Sequence, residues 1–154
     1  MSGSPPIHFV EVTTRALEGL PDARGDSVRS MLAADHDILM GDVRVSLGYQ
    51  VQAEMTPEQI ERTVYDLFAD PVIEDGSCNG ALLGITGIFP STPEAAIQVG
   101  FKPGVTDNAG QAGLDGLLTL YPKLRNTAQV ATPRTYLFWG VPEGIEPSDR
   151  KSVP

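Results

Sequence analysis

The sequence predicts an α+β fold: two β-α-β-type modules with mostly antiparallel sheets and helices on one face, packed together as a pseudo-dimer. Three observations predict it. Residues 7–14 alternate between two faces, as in a half-buried strand, and a strongly capped helix begins near residue 57. The apolar pattern of residues 10–49 then returns in residues 97–136, which indicates an internal repeat.

The first module opens with the strand over residues 7–14 and continues into a helix. Asp22 or Asp26 is available as the N-cap of that helix. Residues 42–51 then predict one long strand that bends or bulges at Gly48. The predicted buried stripe of the helix consists of Val28, Met31 and Leu32.

The second helix has the clearest local signal in the sequence. Thr56 is placed to be its N-cap, Pro57 occupies the first helical position, and Gln59 can complete a capping box. Asp70-Pro71 ends the helix, and a short strand is predicted over residues 72–76. The predicted apolar face of this helix consists of Ile60, Val64, Leu67 and Phe68.

The repeat divides the chain into three predicted parts. Residues 1–76 form the first module, residues 77–94 an inter-module linker, and residues 95–154 a second module. The only charged residue of the linker is Glu94, so we expect the linker to lie against apolar surface and not to extend into solvent.

In the second module the sequence predicts a strand over residues 95–101, a turn over 102–105, a helix capped by Asp107 and an extended segment over 127–139. It lacks the last helix and strand of the first module. Either the sequence is a piece of a longer protein, which we favour, or residues 143–154 replace the missing elements. The apolar residues of the predicted helix are Leu114, Leu117, Leu118 and Tyr121. The aromatic residues that form either core or a partner surface on the last strand are Tyr136, Phe138 and Trp139.

Composition and charge exclude several classes of partner. The net charge of −9 repels phosphate backbones and anionic lipid, so neither nucleic acid nor a membrane surface is expected to bind. The single cysteine, Cys78, cannot form an internal disulfide, which fits a reducing cytoplasm. No apolar run approaches the ~20 residues that span a bilayer. Residues 1–6 do not resemble a signal peptide, and a cytoplasmic location is predicted.

Few residues are candidates for catalysis or metal binding. Cys78 would need His8 or His36 nearby to become a nucleophile, and a structural cysteine is favoured. His36 lies between Asp35 and Asp37, where a solvated turn is favoured over a metal site.

Two further patterns have structural interpretations. Residues 84–87 are glycine-rich but lack the lysine of a phosphate-binding loop. The Asp-x-x-Gly sequences at residues 22–25 and 107–110 could present helix N-termini to an anion, but helix capping is favoured because the caps are acidic. No catalytic, cofactor or metal site is therefore predicted in this chain. The residues predicted to form a solvated acidic helix face are Glu58, Glu61 and Asp66.

Five segments carry a resemblance to a known family. Residues 10–12, 20–25, 41–45 and 68–75 resemble, in order and spacing, the small structural subunit (PurS) of phosphoribosylformylglycinamidine synthase. Residues 101–108 look like the same opening motif in a second copy. The most specific pieces are Pro-Gly-Val-x-Asp and Asp-Pro-Val-Ile-Glu. Two such copies in tandem are similar to the N-terminal domain of the large, single-chain (PurL-type) form of that enzyme.

The resemblance implies structural or interface roles for the family-motif residues, and catalysis for none of them. The first copy departs from the family pattern at residues 16–19, which stand where a Lys-Pro-Gly-like turn is expected, so no contact by that turn is predicted there. The residues that match the family motif are Asp22, Gly25, Asp70, Pro71, Pro103, Gly104, Asp107 and Gly110.

The resemblance also implies a function. The chain would be a non-catalytic scaffold in de novo purine biosynthesis, a ligase component that couples a glutaminase to an ATP-dependent synthetase region. ATP and magnesium would be bound by that partner region, and no cofactor by this chain. The alternative is a small-molecule-sensing regulatory α/β module, which would need convergent polar groups in a concave pocket.

Overall fold

The computed structural model describes residues 3–15, 22–80, 89 and 91–145. The α+β prediction is confirmed, and the elements alternate between strand and helix along most of the chain. The strands are β1 (Ile7–Thr14), β2 (Asp42–Gln52), β3 (Glu74–Cys78), β4 (Ala95–Val99), β5 (Gln129–Ala131) and β6 (Arg134–Trp139). The helices are α1 (Ala23–His36), α2 (Pro57–Thr63) with a π-helical turn (Val64–Phe68), α3 (Asn108–Leu120) and a 3₁₀ turn (Pro122–Leu124).

All of these strands belong to one six-stranded sheet with the order β3-β1-β2-β6-β4, in which β5 also pairs with β2. Every pairing is antiparallel. The two sheets predicted for the two modules are therefore parts of one continuous sheet. They join at its centre, where β2 pairs with β5 and β6.

The hydrophobic core covers one face of this sheet. His8, Val10 and Val12 alternate towards it along β1, as the sequence predicted, and each is at most 7% exposed. The helices α2 and α3 lie over this face and fill it. The buried core residues that come from the helices and their flanking loops are Met55, Ile60, Val64, Phe68, Ala69, Leu117, Leu124 and Ala128.

The predicted start of the second helix is confirmed in detail. The Thr56 side chain accepts a hydrogen bond from the Gln59 backbone N–H at 3.2 Å, and the Gln59 side chain accepts one from the Thr56 N–H at 2.9 Å. Among the predicted apolar residues, Ile60, Val64 and Phe68 are buried. The capping box thus fixes where the helix begins and which face it buries.

Two predictions for the first half are wrong in detail. Of the bend or bulge predicted at Gly48, the bulge is absent, because β2 pairs with β1 in continuous register. This glycine is needed because the Pro133 carbonyl oxygen would lie 2.9 Å from a Cβ atom there. Met31 is 47% exposed, because α1 buries only Gly25 in its first turn, while Val28 and Leu32 are half-buried.

Strand boundaries also differ from the prediction. Strand β3 begins at Glu74, because Asp70 holds the preceding residues in a turn: its carboxylate accepts from the Val72 N–H and its carbonyl from the Glu74 N–H, both at 2.8 Å. Strand β3 then continues through Cys78, inside the range predicted as linker. Strand β4 ends at Val99, two residues before the predicted end.

Half of the predicted linker, residues 81–88 and 90, lies outside the described residues, and this half includes the phosphate-loop candidate at residues 84–87. The turn at residues 16–19 also lies outside them. The same holds for residues 146–154 of the predicted tail. Among the helices of the described ranges, none combines the length and apolar character needed to cross a bilayer.

Candidate functional site: two aspartate junctions and an uncovered strand

Asp22 joins helix α1 to strand β2. Its Oδ1 accepts hydrogen bonds from the backbone N–H groups of Arg24 at 3.1 Å and Gly25 at 3.3 Å, which caps the helix. Its Oδ2 accepts a third hydrogen bond from the Val45 N–H, at 2.8 Å. A Cβ atom at Gly25 would collide with the carbonyl oxygen of Val43. The Asp-x-x-Gly sequence therefore ties the helix to the strand and lets their backbones touch.

Asp107 makes an equivalent junction between α3 and the strand that follows it. Its Oδ1 accepts from the Gly110 N–H and its Oδ2 from the Thr132 N–H, both at 2.7 Å. A Cβ atom at Gly110 would lie 2.7 Å from the Val130 carbonyl oxygen. This junction has one bond that the first lacks, from the Thr132 hydroxyl to Oδ1 at 2.7 Å.

The two junctions stand at matching places in the sheet. In the first half Val10 pairs with Tyr49, and 87 residues further along the chain Ile97 pairs with Tyr136. The same offset of 87 relates Leu47 to Arg134, which pair with each other across the centre of the sheet. Two β-α-β units of equal register therefore meet through equivalent strands, the pairing that a two-fold axis between copies would produce.

The hydrogen bonds to Asp107 outweigh the effect of burial on its ionisation. Partial burial raises the pKa of this carboxyl group, but bonds from the Thr132 hydroxyl and from the Gly110 and Thr132 N–H groups lower it, as does nearby Arg134. The net pKa lies below the ordinary value of an aspartate. The carboxylate is thus charged, and both of its oxygens already accept hydrogen bonds within the chain.

Two of the family-motif segments meet in space. The Glu74 carboxylate lies 3.8 Å from Arg24 in the first turn of α1, and its other oxygen accepts from the Asp70 N–H at 2.9 Å. Together with Pro71, Asp70 forms the turn that ends the π-helical segment. The segments at residues 22–25 and 70–75 therefore brace one corner of the first half.

The core beside this corner contains Tyr49, whose ring stacks on Phe68 with 4.3 Å between ring centroids. Burial and the neighbouring Glu74 carboxylate raise the pKa of Tyr49, while Arg24 and Arg134 partly offset them. The phenol stays neutral, which suits a packing role.

Pro103 and Gly104 are not brought to either junction. They form an exposed turn after β4, in which the Val105 N–H bonds to the carbonyl of residue 102 at 3.1 Å and Gly104 adopts a φ of 84°. The glycine is required there because a left-handed backbone strains other residues. In the second half, the family-motif residues are therefore split between a buried junction and an outer turn.

Strand β4 and the turn that follows it expose an apolar surface that we name the β4 patch, defined by Ile97, Val99, Phe101 and Val105. These residues are 46%, 52%, 54% and 55% exposed. Among the described strands, β4 stands at the end of the sheet and pairs only with β6. The patch thus combines exposed apolar side chains with an unpaired strand edge.

The Cys78 thiol is poorly suited to act as a nucleophile, although β3 places it opposite Val10, which lies two residues along β1 from His8. Burial, followed by the charge of Glu61, raises the pKa of the Cys78 thiol, which opposes formation of a nucleophilic thiolate. His36 is exposed in the last turn of α1, and Asp37 caps that helix. Within the described ranges no cluster of three His, Cys, Asp or Glu side chains could hold a metal ion.

A surface pocket of about 260 Å³ lies beside α1. Arg29 is its one charged lining residue and already lies 3.4 Å from the Asp26 carboxylate. The pocket has no converging set of polar groups, which a site that selects a small molecule would need. The other lining residues are Ser30, Ala33, Leu39 and Met40.

The aromatic residues of β6 divide between core and linker contacts. Phe138 is 7% exposed, and Tyr136 is half-buried. The Trp139 ring packs on Phe89 at 5.7 Å between centroids, and its Nε1 donates to the Ser91 carbonyl at 3.2 Å. Trp139 therefore holds the chain that precedes β4.

Three structural contributors were missed from the sequence. Thr132 strengthens the second junction, and Glu94 accepts from the N–H groups of Gly140 at 3.0 Å and Val141 at 2.9 Å. Arg134 is an exposed cation where the first half has the half-buried Leu47. The repeat alignment already placed Thr132 and Arg134 opposite Val45 and Leu47, so it was the signal that could have found them.

No protein-family model matches the chain, and comparisons with curated proteins and with solved structures give no significant match.

Proposed function

We propose that this chain is a non-catalytic scaffold domain of phosphoribosylformylglycinamidine synthase, which couples the glutaminase to the ATP-dependent synthetase region in de novo purine biosynthesis. The proposal starts from the PurS-like motifs of the sequence. Asp22, Gly25, Asp107 and Gly110 among them have the structural roles that a scaffold needs, since they fix helices to strands.

The observation that carries the proposal is the equal register of the two β-α-β units at one offset of 87 residues. A tandem pair of PurS-like modules requires such a relation, because each copy must pair its strands in the same way. The central pairing of Leu47 with Arg134 further supports two copies that meet around a pseudo-two-fold axis.

In this role the chain acts through surfaces. The partner synthetase region binds ATP and magnesium and forms the carbon–nitrogen bond, and the partner glutaminase releases ammonia. The scaffold holds the two close enough for ammonia to pass between them in the cytoplasm. Its net charge of −9 suits protein partners and opposes nucleic acid and membrane surfaces.

Reconstitution with the matching synthetase and glutaminase tests this function. The rate of product formation is measured with glutamine and, separately, with ammonium as the nitrogen source, each with and without the chain. Because a bridge raises the effective concentration of one partner at the other, we expect the glutamine-dependent rate to rise at least about tenfold. The ammonia-dependent rate should not respond, since the synthetase site is complete without the bridge.

Heat-denatured chain is the negative control and should not stimulate either rate. Equal stimulation of both rates by the wild-type chain would contradict a bridging role. No stimulation, together with no co-purification of either partner, would remove the proposed function.

A further inference from the structure

We propose that the β4 patch is the binding site for a helix–strand segment of a partner protein. The helix of that segment lies on Ile97 and Val99 with its apolar side, and its strand pairs antiparallel with the edge of β4 that no described strand pairs. The inference deepens the proposed function and rests on it in one respect: the partner protein is the synthetase region that the scaffold holds.

The first half of the sheet shows what covers the equivalent surface. Val10 and Val12 stand 87 residues before Ile97 and Val99, occupy the same register, and are both 0% exposed. Ile60, Val64 and Phe68 of α2 and its π-helical turn share their core cluster. The equivalent strand surfaces therefore differ: Val10 and Val12 are buried in the first half, whereas Ile97 and Val99 are 46–52% exposed in the second.

The outer edge of β4 also points to a helix–strand segment as the binding partner. In the first half the outer edge of β1 pairs with β3, and the Asn79 N–H donates to the Phe9 carbonyl at 2.7 Å. At the offset of 87 residues, the outward backbone groups of β4 are those of Ala96 and Gln98. A single helix–strand segment, built like residues 57–78, would satisfy both this edge and the apolar face.

A second copy of this chain fits less well than a partner segment. Pairing two β4 edges would extend the sheet in its own plane and leave the patch side chains exposed. A charge of −9 on each copy also opposes self-association.

Local charge supports an acidic partner segment. Arg134 pairs with Val99 on the neighbouring strand and is exposed beside the patch, where the first half has Leu47. A carboxylate on the bound helix would pair with Arg134, since charge complementarity across an interface contributes to partner specificity.

A peptide of residues 55–80 with Cys78→Ser is a defined probe, because it reproduces the segment that covers the first half. It is added to the full chain in 0.3 M salt (about a 6 Å screening length) so that general repulsion is screened. Up to about 1 mM peptide is used, since ordering a free segment lowers its affinity.

Amide hydrogen exchange is then followed by NMR. We expect the outer amides of Ala95–Val99 to exchange at least about tenfold more slowly with the probe, because they become hydrogen-bonded. Protection at β1 alone, or at neither strand, would overturn the proposal. A probe with Ile60→Asp and Val64→Asp should give no protection, because its apolar face is lost.

Matched variants of the full chain separate the patch from general surface effects. Val99→Glu should abolish protection by the probe, whereas Val72→Glu, at a valine that is 72% exposed, should leave it unchanged. Both sites are exposed, so both variants should fold, which far-ultraviolet circular dichroism checks. Equal loss in both variants, or binding that persists in Val99→Glu, would contradict a specific site.

The same variants distinguish failure of this inference from failure of the proposed function. If wild-type chain binds the probe but does not stimulate the glutamine-dependent rate, the site stands and the purine role fails. If Val99→Glu stimulates that rate as well as wild type, the purine role stands and this surface does not bind the synthetase.

Discussion

In the first half of the sheet Val12 is completely buried beneath α2 and its π-helical turn, whereas the equivalent Val99 in the second half is 52% exposed. The backbone around the two residues is the same, with strands of one register and an aspartate junction at the helix. The two valines differ in what covers the strand. A shared backbone plan thus supports a complete core in one half and an open surface in the other.

The halves are also unequal in how they use their helices. Helix α3 belongs to the second half, but its buried residue Leu117 joins the core of the first. A Cβ atom at Gly113 would lie 3.5 Å from Phe68, so this helix packs closely on the π-helical turn. The first half thereby stabilises the second, while Ile97 and Val99 on β4 stay exposed.

The largest expected effect comes from the first junction. Gly25→Ala places a methyl group against the Val43 carbonyl, a backbone atom that cannot move without shifting β2. We expect a loss of about 3 kcal/mol in the free energy of unfolding, measured by urea denaturation.

The control for that change is Gly116→Ala on α3. The added methyl group there meets the end of the Leu67 side chain, which can rotate away. Its cost should stay below about 1 kcal/mol, offset by the better helix propensity of alanine. Equal costs at the two glycines would show that the backbone approach at Gly25 is not the constraint inferred here.

Truncation of equivalent valines tests the cover directly. Val12→Ala removes two methyl groups from a filled core and should cost about 2 kcal/mol in unfolding free energy. Val99→Ala changes the same atoms on an exposed surface and should cost less than about 0.5 kcal/mol. A large cost for Val99→Ala in the isolated chain would mean that the patch is already covered.

Local features of the fold were predictable from the sequence. The bounds of β1, the capping box at Thr56 and the N-cap at Asp107 all depend on neighbours within a few residues, and all are confirmed. Short-range hydrogen bonds and side-chain periodicity can be predicted because they depend on residues that are close together in the sequence.

Features that depend on distant partners were not predictable. No bulge forms at Gly48. The glycine is instead required because the carbonyl oxygen of Pro133, which lies far along the chain, approaches it too closely for a Cβ atom. The exposure of Ile97 and Val99 could not be predicted from the sequence, because the buried Val10 and Val12 follow the same apolar alternation. At the junctions the caps were predicted, but their bonds to the next strand depend on tertiary packing.

The smallest expected effect concerns the hydroxyl bond that the second junction has and the first lacks. Thr132→Val gives that position the residue of its equivalent, Val45, and removes the hydroxyl bond to Asp107. We expect a cost of about 1 kcal/mol in unfolding free energy at pH 7, since the bond is to a charged but partly solvated group. Thr135→Val is the control, because its hydroxyl accepts only a neutral bond from Gln98 at 3.3 Å.

The cost should depend on pH in a definite direction. The pKa of Asp107 is lowered in the folded chain, so its contribution to stability is present above the unfolded pKa of about 3.9 and is lost as pH falls through the folded value. The difference between Thr132→Val and wild type should therefore shrink below about pH 4. Carbon-13 NMR titration should show a higher pKa for Asp107 in the variant. An unchanged pKa would mean that the Thr132 hydroxyl does not stabilise the charged carboxylate.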